Sequence, residues 1–331
     1  MHAAAISPRG GVARRAANLR GQSIIEYVLI IAIIGLVIVF AGPGVSGAIR
    51  NQFNLVGNTV NNGTTGGGED GGTSGIGSAG ADSATVQAAI AKDAKDWTLD
   101  EQKAVAEDIA AKGEASPAYA KTKAAMDAGT KFSMKLTDGQ TLEYRIIGIN
   151  HDDLADGSGK AGLTFLTTSA GIRSRMNATD TNAGGWEKSE LRQKMNSGEI
   201  WNLMPSDFQS KVKSVKKLTN NIGGGSANKN AAMTATSDKL FLLSYSEIVP
   251  TSYWASDYPW SSSEGTQYEA FKGKVTNNYS GNDCLKIGFY WWERSVSPNY
   301  SNSFLIVSSS GDPSGSSNAT RSFCVCPAFS F

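Results

Sequence analysis

The side chains most able to do chemistry are few. Three cysteines, Cys284, Cys324 and Cys326, lie in the last fifth of the 331 residues. In an extracellular domain this number predicts one disulfide and one odd thiol, so all three are disulfide candidates. Cys324 and Cys326 are separated by a single residue in an expected terminal strand, which makes a mutual disulfide awkward, so Cys284 is the better partner for either. A zinc site would need a second pair of ligands, and the sequence shows none.

A second group of reactive residues follows an expected strand. His151, next to Asp152 and Asp153, has the groups for acid–base catalysis, but an Asn-His-Asp-Asp run is more often a turn. Asp152, Asp153 and Asp156-Gly157 supply the acids and the glycine of a calcium loop without its alternating spacing. We therefore predict no enzymatic activity and no cofactor, and keep calcium as the one ion to test.

The charge balance excludes one class of function. The chain has 31 basic and 30 acidic residues and a formal net charge of +1, which argues against a general nucleic-acid binder. A cluster of four lysines is expected to form a solvated face; it comprises Lys211, Lys213, Lys216 and Lys217.

The first fifth of the chain has a composition of its own. Residues 1–20 are basic and contain no acid, and residues 27–41 are almost wholly apolar. An ordinary secretory signal peptide and a plain membrane anchor both fit such a stretch, which approaches the length of a spanning helix. Gly21 before it and Glu26 at its edge favour a third interpretation, because a carboxylate is costly in lipid and usually functional.

The series Gly21, Gln22 to Ile25 and Glu26-Tyr27, followed by the apolar run, resembles the prepilin signal of type IV pilins, above all the small Tad-type (type IVb) pilins. The resemblance implies that a prepilin peptidase cuts between Gly21 and Gln22. It also implies that the helix first holds the subunit in the membrane and then packs against other pilin subunits. Glu26 would pair there with the new amino terminus of a neighbour, since buried charges must be neutralised. Tad-type major pilins end about where Val60 lies, so this chain is larger.

The remaining residues divide by composition. Gly, Ser, Thr and Asn dominate residues 57–82, which predicts a flexible tether. Alanine-rich helices follow, and Thr98-Leu99-Asp100-Glu101 is a capping box that opens the second of three. From residue 131 the pattern is of strands and turns, beginning with a hairpin around residues 137–140. The predicted organisation is a leader over 1–21, a pilin assembly helix over 22–56, the tether over 57–82, a helical spacer over 83–130 and a ligand-binding domain over 131–331.

Short motifs recur in a fixed order through residues 130–331. They are residues 185–192, 241–244, 264–268, 292–295 and 325–329. In this order they resemble bacterial surface domains related to the C-type-lectin and formylglycine-generating-enzyme fold. Relatives commonly end in Gly-Val-Arg-Pro-Ala-Phe, whereas this chain has Cys324 and Cys326 in place of the Gly and the Arg. The predicted fold class is therefore α+β, with a pilin transmembrane assembly helix, a Gly-rich linker, a small helical segment and a C-type-lectin-like mixed domain.

The same resemblance suggests where a ligand binds. That fold is the scaffold of variable proteins diversified by retroelements that mutate adenines, which yields Asn, Ser, Tyr and Asp, and residues 290–321 are rich in these types. Independently, aromatic side chains give contact area at low entropic cost, and Ser and Asn give adaptable hydrogen bonds. The predicted ligand-binding residues are Tyr290, Trp292, Glu293, Asn299, Tyr300, Asn302, Ser308, Ser310, Asp312, Asn318 and Arg321.

Three hypotheses follow. In the first, the chain is a pilus-displayed binding module that moves from the bacterial inner membrane to the cell surface and binds a surface protein or glycan. In the second, it is a structural minor pilin whose head primes or caps assembly. In the third, it is an enzyme, which would require a reactive thiol.

Overall fold

The computed structural model describes residues 83–250, 256–276 and 281–331. These residues belong to one compact unit. The leader, the predicted assembly helix and the predicted tether lie outside the described residues.

Three helices open the described chain: α1 (Ala84–Ile90), α2 (Leu99–Lys112) and α3 (Tyr119–Ala128). The predicted capping box is confirmed. The Thr98 hydroxyl accepts from the Glu101 amide at 3.3 Å, and the Glu101 carboxylate accepts from the Thr98 amide at 2.7 Å. This reciprocal pair satisfies two backbone donors that the first turn would leave unpaired.

The three helices share their core with the sheets. Gly162 lies so close to α2 that a Cβ added there would be 1.8 Å from the Ala106 carbonyl oxygen. Tyr144 reaches the same helix, and its hydroxyl donates to the Gln102 side chain at 3.1 Å. Val105 and Ile109, both residues of α2, are fully buried in this shared core. Residues 83–130 therefore act as a packed cover on the sheets.

The first sheet has five antiparallel strands in the order β1-β2-β3-β12-β7. Their bounds are β1 (Lys131–Lys135), β2 (Thr141–Ile149), β3 (Leu163–Thr167), β7 (Leu240–Phe241) and β12 (Ala328–Ser330). The predicted hairpin is confirmed, because β1 and β2 pair directly from Lys131↔Arg145 to Lys135↔Thr141.

The second sheet has the order β10-β9-β8-β11-β4 and is mixed, since β8 and β11 run parallel. Its strands are β4 (Arg173–Ser174), β8 (Trp291–Val296), β9 (Ser303–Val307), β10 (Gly315–Asn318) and β11 (Phe323–Cys324). A separate hairpin joins β5 (Val215–Asn220) to β6 (Met233–Asp238).

Four short helices connect these strands: α4 (Glu190–Asn196), α5 (Glu199–Leu203), α6 (Ser206–Gln209) and α7 (Tyr245–Ile248). The sequence of residues 184–192 predicts a capped helix, but the helix begins only at Glu190. The Ser189 hydroxyl caps it by accepting from the Arg192 amide at 3.1 Å, and Gly184 and Gly185 have positive φ values that a helix does not allow.

Aromatic rings fill the centre of the first sheet. Phe165 of β3 stacks on Phe329 of β12 at 5.1 Å, and Phe208 of α6 meets Phe329 edge-on at 4.7 Å. Each ring buried in this way contributes roughly 2 kcal/mol or more. The carboxy-terminal strand is therefore central to the core.

The structure corrects the predicted fold class. Within the described ranges, no helix is both long and apolar enough to cross a membrane. The longest helix, α2, has 14 residues and carries charges in its first and last turns. A fold class with a transmembrane helix is therefore wrong for the part of the chain that the structure describes, which is an α+β domain.

Candidate functional site

The predicted ligand-binding residues divide between the two ends of the β8–β9 pair. The pairing Trp291↔Val307 puts Tyr290 and Ser308 at one end, and the connection between the strands carries Asn299, Tyr300 and Asn302 at the other. A strand of six residues separates the ends by roughly 20 Å. The prediction therefore covers two surfaces.

Two of the predicted residues are not on either surface. Trp292 is fully buried, and its indole nitrogen donates to the Ser174 carbonyl oxygen at 2.9 Å. Glu293 is also fully buried, and its carboxylate has no hydrogen-bond partner among the described residues. Burial, with the neighbouring Glu264 carboxylate, raises the pKa of Glu293 well above its ordinary value and so favours its protonated form. Both predictions of surface contact are corrected, because β8 is buried along its whole length.

The end of the pair that carries Tyr300 has the most exposed aromatic residue of the part of the chain that the structure describes. We call it the Tyr300 surface, formed by Ile222, Asn299, Tyr300, Asn302 and Asn318. The side chain of Tyr300 is 58% exposed and that of Ile222 is 48% exposed. The amides of Asn302 and Asn318 both donate to Asp180, at 2.8 and 3.3 Å. Apolar area and adaptable polar groups therefore lie together.

A buried amide fixes the backbone beneath Tyr300. Asn182 is fully buried and donates to the carbonyl oxygens of Tyr300 and Ser303, both at 2.8 Å, while its own oxygen accepts from the Gly224 amide at 2.8 Å. Gly225, with φ of +61°, packs so closely that a Cβ there would lie 2.9 Å from the Ser301 nitrogen. The loop that presents Tyr300 is therefore held in place before any ligand arrives.

The opposite end forms a second surface, the Tyr290 surface, made by Arg173, Phe289, Tyr290 and Phe323. Phe289 is 52% and Tyr290 45% exposed. The Arg173 guanidinium lies 6.0 Å from the Phe289 ring centre, and Tyr290 and Phe323 have ring centres 5.7 Å apart. These rings already partner one another, which leaves less of each free for a ligand.

The remaining predicted residues near this end hold a turn. The hydroxyls of Ser308 and Ser310 lie 2.9 Å apart, and the Ser308 hydroxyl accepts from the Asp312 amide at 3.1 Å. Arg321 is exposed in the turn that follows Asn318. Ser308, Ser310 and Asp312 therefore hold the conformation of their own turn through hydrogen bonds to one another.

The cysteines are free thiols in the structure. Burial raises the pKa of Cys284, Cys324 and Cys326 above the ordinary value, so their thiolates are scarce at neutral pH. Cys324 lies in β11 and Cys326 in the link to β12. The predicted disulfide stays a prediction.

The acidic residues around His151 bind separate partners and do not form one common site. Asp153 pairs with Lys160 at 2.9 Å, and Asp156 accepts from Ser158 in its own turn. His151 stacks on Tyr268 at 4.0 Å and lies 3.1 Å from the Glu269 carboxylate. Burial raises the pKa of Glu269, but the hydrogen bond and charge of His151, together with hydrogen bonds from the backbone and Lys272, outweigh it and lower the pKa to about 2. Within the described ranges, no group of three metal-ligating side chains is found.

Sequence reasoning missed a buried network of charges. Lys217, expected on a solvated face, points inward from β5 and lies 2.6 Å from both Asp152 and Glu247. Arg294 of β8 binds Glu247 through two contacts of 2.5 and 2.9 Å. The position of Lys217 between Val215 and Thr219, which face inward on the same strand, was the available signal. The network joins β5, α7 and β8. In it the cations Lys217 and Arg294 pair with the anions Asp152 and Glu247.

Glu264 lies at the edge of this network. Its carboxylate accepts from the Asn220 amide at 2.8 Å and from the Ser295 hydroxyl. Burial raises the pKa of Glu264 to about 7, although Ser295 and Arg294 act to lower it. This group therefore titrates near neutral pH inside the domain.

The predicted processing residues Gly21, Gln22 and Glu26 lie outside the described residues. The structure therefore adds nothing on the cleavage site.

The fold and its exposed loops define an α+β domain that holds fixed surface loops on two sheets. The chain belongs to a family described as a domain of unknown function, DUF6273, whose model matches residues 161–331. The matched region includes both surfaces and begins just before β3. Comparison with curated proteins and with solved structures gave no match. The pilin and lectin-like resemblances stay predictions from the sequence.

Proposed function

We propose that this chain is a pilin-like surface subunit whose α+β domain binds a surface protein or glycan through the Tyr300 surface. The observation that carries the proposal is the exposed Tyr300 ring on a loop fixed by Asn182. A ring on a preorganised loop loses little conformational entropy when it binds. Tyrosines of this kind are common binding hot spots, and the loss of one typically costs about 2 kcal/mol, or about thirtyfold in affinity.

The composition around Tyr300 supports a polar, adaptable interface. Asn299 is exposed, and Asn302 and Asn318 share one carboxylate partner, Asp180. An amide that shares an acceptor can turn towards a ligand at low cost. Such a surface suits a partner that offers both hydroxyl or amide groups and a flat apolar face.

Surface display rests on the sequence. The Gly21–Glu26 signal supports cleavage by a prepilin peptidase and assembly with other pilin subunits, and the Gly-rich residues 57–82 support a tether that separates the domain from the filament. Cleavage and assembly into a filament would carry the binding domain to the cell surface.

The deciding experiment removes residues 83–331 from the chain in the bacterium that makes it. The deletion must begin at 83, because a cut at residue 131 would expose Val105 and Ile109 of α2. Intact filaments that no longer adhere are the expected result. Loss of the filaments would instead favour a structural pilin, and unchanged adherence would refute the binding role.

Cleavage is tested separately by the mass of the subunit. The mature chain should begin at Gln22, and Gly21→Leu should leave the precursor uncut. A mature chain that begins elsewhere, or processing that ignores the substitution, would refute the prepilin interpretation without affecting the binding domain.

A further inference from the structure

A cavity of about 380 Å³ lies at the edge of the first sheet, and none of its lining residues belongs to the Tyr300 surface. Its walls come from Arg145 of β2, Thr167 and Thr168 at the end of β3, the segment 283–287 and Trp291. This volume is at the lower end of the range for small-molecule sites, which is roughly 300–1,000 Å³. We call it the Arg145 cavity.

The cavity contains a cation without a counter-charge. Lys131 and Lys286, also in its walls, pair with Glu143 at 2.8 Å and with Asp283 at 2.7 Å. No carboxylate of the described residues lies within ion-pair distance of Arg145. Among the described residues, the Arg145 side chain makes one hydrogen bond, from Nη2 to the Cys284 carbonyl oxygen at 2.6 Å. A largely buried guanidinium stays charged, and the Cys284 carbonyl oxygen and the Phe271 ring, whose centre lies 5.7 Å from Arg145 Cζ, offset its desolvation without supplying a negative charge.

Unsatisfied polar atoms concentrate in the same place. Seven buried side-chain nitrogen or oxygen atoms in the described ranges have no hydrogen-bond partner, and three of them belong to residues that line this cavity. They are Arg145 Nε and the hydroxyl oxygens of Thr167 and Thr168. Buried polar groups are rarely left unpaired, because each costs about 1–3 kcal/mol. All three can donate a hydrogen bond.

Besides the paired Lys131, Lys286 and Asp283, the wall has an apolar part. Leu166, Leu285 and Trp291 are buried, and the indole nitrogen of Trp291 already donates to the Leu285 carbonyl oxygen at 3.1 Å. Cys284 and Cys326 are protonated at neutral pH, because burial raises the pKa of each thiol, so neither neutralises Arg145. The cavity thus combines unpaired donors, one guanidinium without a carboxylate partner and an apolar patch.

We propose that the Arg145 cavity binds a small carboxylate with an apolar body, whose carboxylate accepts from Arg145 and from the Thr168 hydroxyl. Carboxylate geometry matches the guanidinium fork, and one such anion would supply the counter-charge that Arg145 lacks. The apolar body would pack on Trp291 and Leu285. Phosphate and sulfate offer the charge without the apolar body, so they should bind more weakly.

The test uses the full-length chain, with hexanoate and phenylacetate as probes and hexanamide and phenylacetamide as their neutral matches. Binding is followed by calorimetry and by tryptophan fluorescence, with inorganic phosphate and sulfate alongside. At least one acid should bind at least about tenfold more tightly than its amide, which is about 1.4 kcal/mol. If neither acid binds at about 10 mM, if acids and amides bind equally, or if phosphate binds more tightly than both acids, the proposal is wrong.

Three variants locate the binding. Arg145→Met should abolish the preference for acid over amide. Thr168→Val, which keeps the shape and removes only the hydroxyl, should weaken acid binding by about three- to tenfold and serves if the first variant fails to fold. Lys286→Met is the matched control, because its charge is already paired with Asp283, and it should change affinity less than about twofold. Acid binding that survives Thr168→Val and falls with Lys286→Met would overturn the assignment.

Discussion

Replacing Glu264 by glutamine should make the domain more stable than the wild type at mildly alkaline pH. Glu264 is fully buried, and its pKa of about 7 exceeds the ordinary value of 4.5. Glutamine has the shape of the protonated acid. Its oxygen can still accept from the Asn220 amide, and the Ser295 hydroxyl can turn to accept from its nitrogen.

The magnitude follows from the two pKa values. Because the folded pKa is the higher one, the stability that protonated Glu264 contributes is complete below about pH 4.5 and is lost as the pH rises through about 7. The difference between a pKa of 4.5 in the unfolded chain and about 7 in the folded domain corresponds to about 3 kcal/mol. Between about pH 5 and about pH 8, Glu264→Gln should gain about 2–3 kcal/mol of unfolding free energy relative to the wild type.

Urea unfolding of the full-length protein, followed by tryptophan fluorescence at the two pH values, measures this difference. All seven tryptophans lie between residues 97 and 292, so the signal reports the α+β domain. Other titrating groups are the same in both proteins and largely cancel. Glu187→Gln, at an exposed position, is the control and should follow the wild type. Parallel pH profiles for wild type and Glu264→Gln would refute the reasoning.

Three further predictions concern packing, charge and thiols. Gly162→Ala should cost about 2–3 kcal/mol in urea unfolding, because the new Cβ collides with a carbonyl oxygen of α2. Arg294→Met should cost about 3–5 kcal/mol in the same assay, since it removes a bidentate partner from the buried Glu247. Native alkylation followed by mass spectrometry should modify the half-buried Cys284 before the buried Cys326.

Each of these predictions has its own comparison. Gly157→Ala places its Cβ in open space and should cost only about 1 kcal/mol through its positive φ, so equal losses at the two glycines would argue against the α2 contact. Lys131→Met breaks an exposed pair and should change stability by less than about 1 kcal/mol; a loss as large as that of Arg294→Met would contradict the network. For the thiols, earlier modification of Cys326 would show that the cavity wall opens.

Local signals in the sequence predicted local structure well. The capping box at Thr98 and the hairpin around residues 137–140 depend on contacts between near neighbours, so their residue types suffice. Helix bounds near Gly185 were missed, because Gly185 has a positive φ and packs closely on Asn220 and Asn221, which are distant in the sequence. The transmembrane part of the predicted fold class was wrong for the described residues.

The candidate binding surface and the Arg145 cavity were harder to predict from the sequence. Exposed Tyr300 fits the expectation of an aromatic binding residue, but nothing in the sequence marks Asn182, far away along the chain, as its support. The sequence pattern predicted Glu293 and Trp292 as surface residues. Both lie in the core, because the burial of β8 depends on the neighbouring strands. Arg145 carries no local signal, since its isolation from carboxylates is a property of the assembled cavity.

The most direct test of the central claim compares full-length Tyr300→Ala with Phe289→Ala for binding to immobilised glycans and surface proteins that the wild type recognises. Both positions carry exposed rings, but only Tyr300 is on the proposed binding surface. The account predicts a loss of about thirtyfold for Tyr300→Ala and less than about twofold for Phe289→Ala, with both proteins equally stable. A wild type that binds nothing, or equal affinities for wild type and Tyr300→Ala, would contradict it.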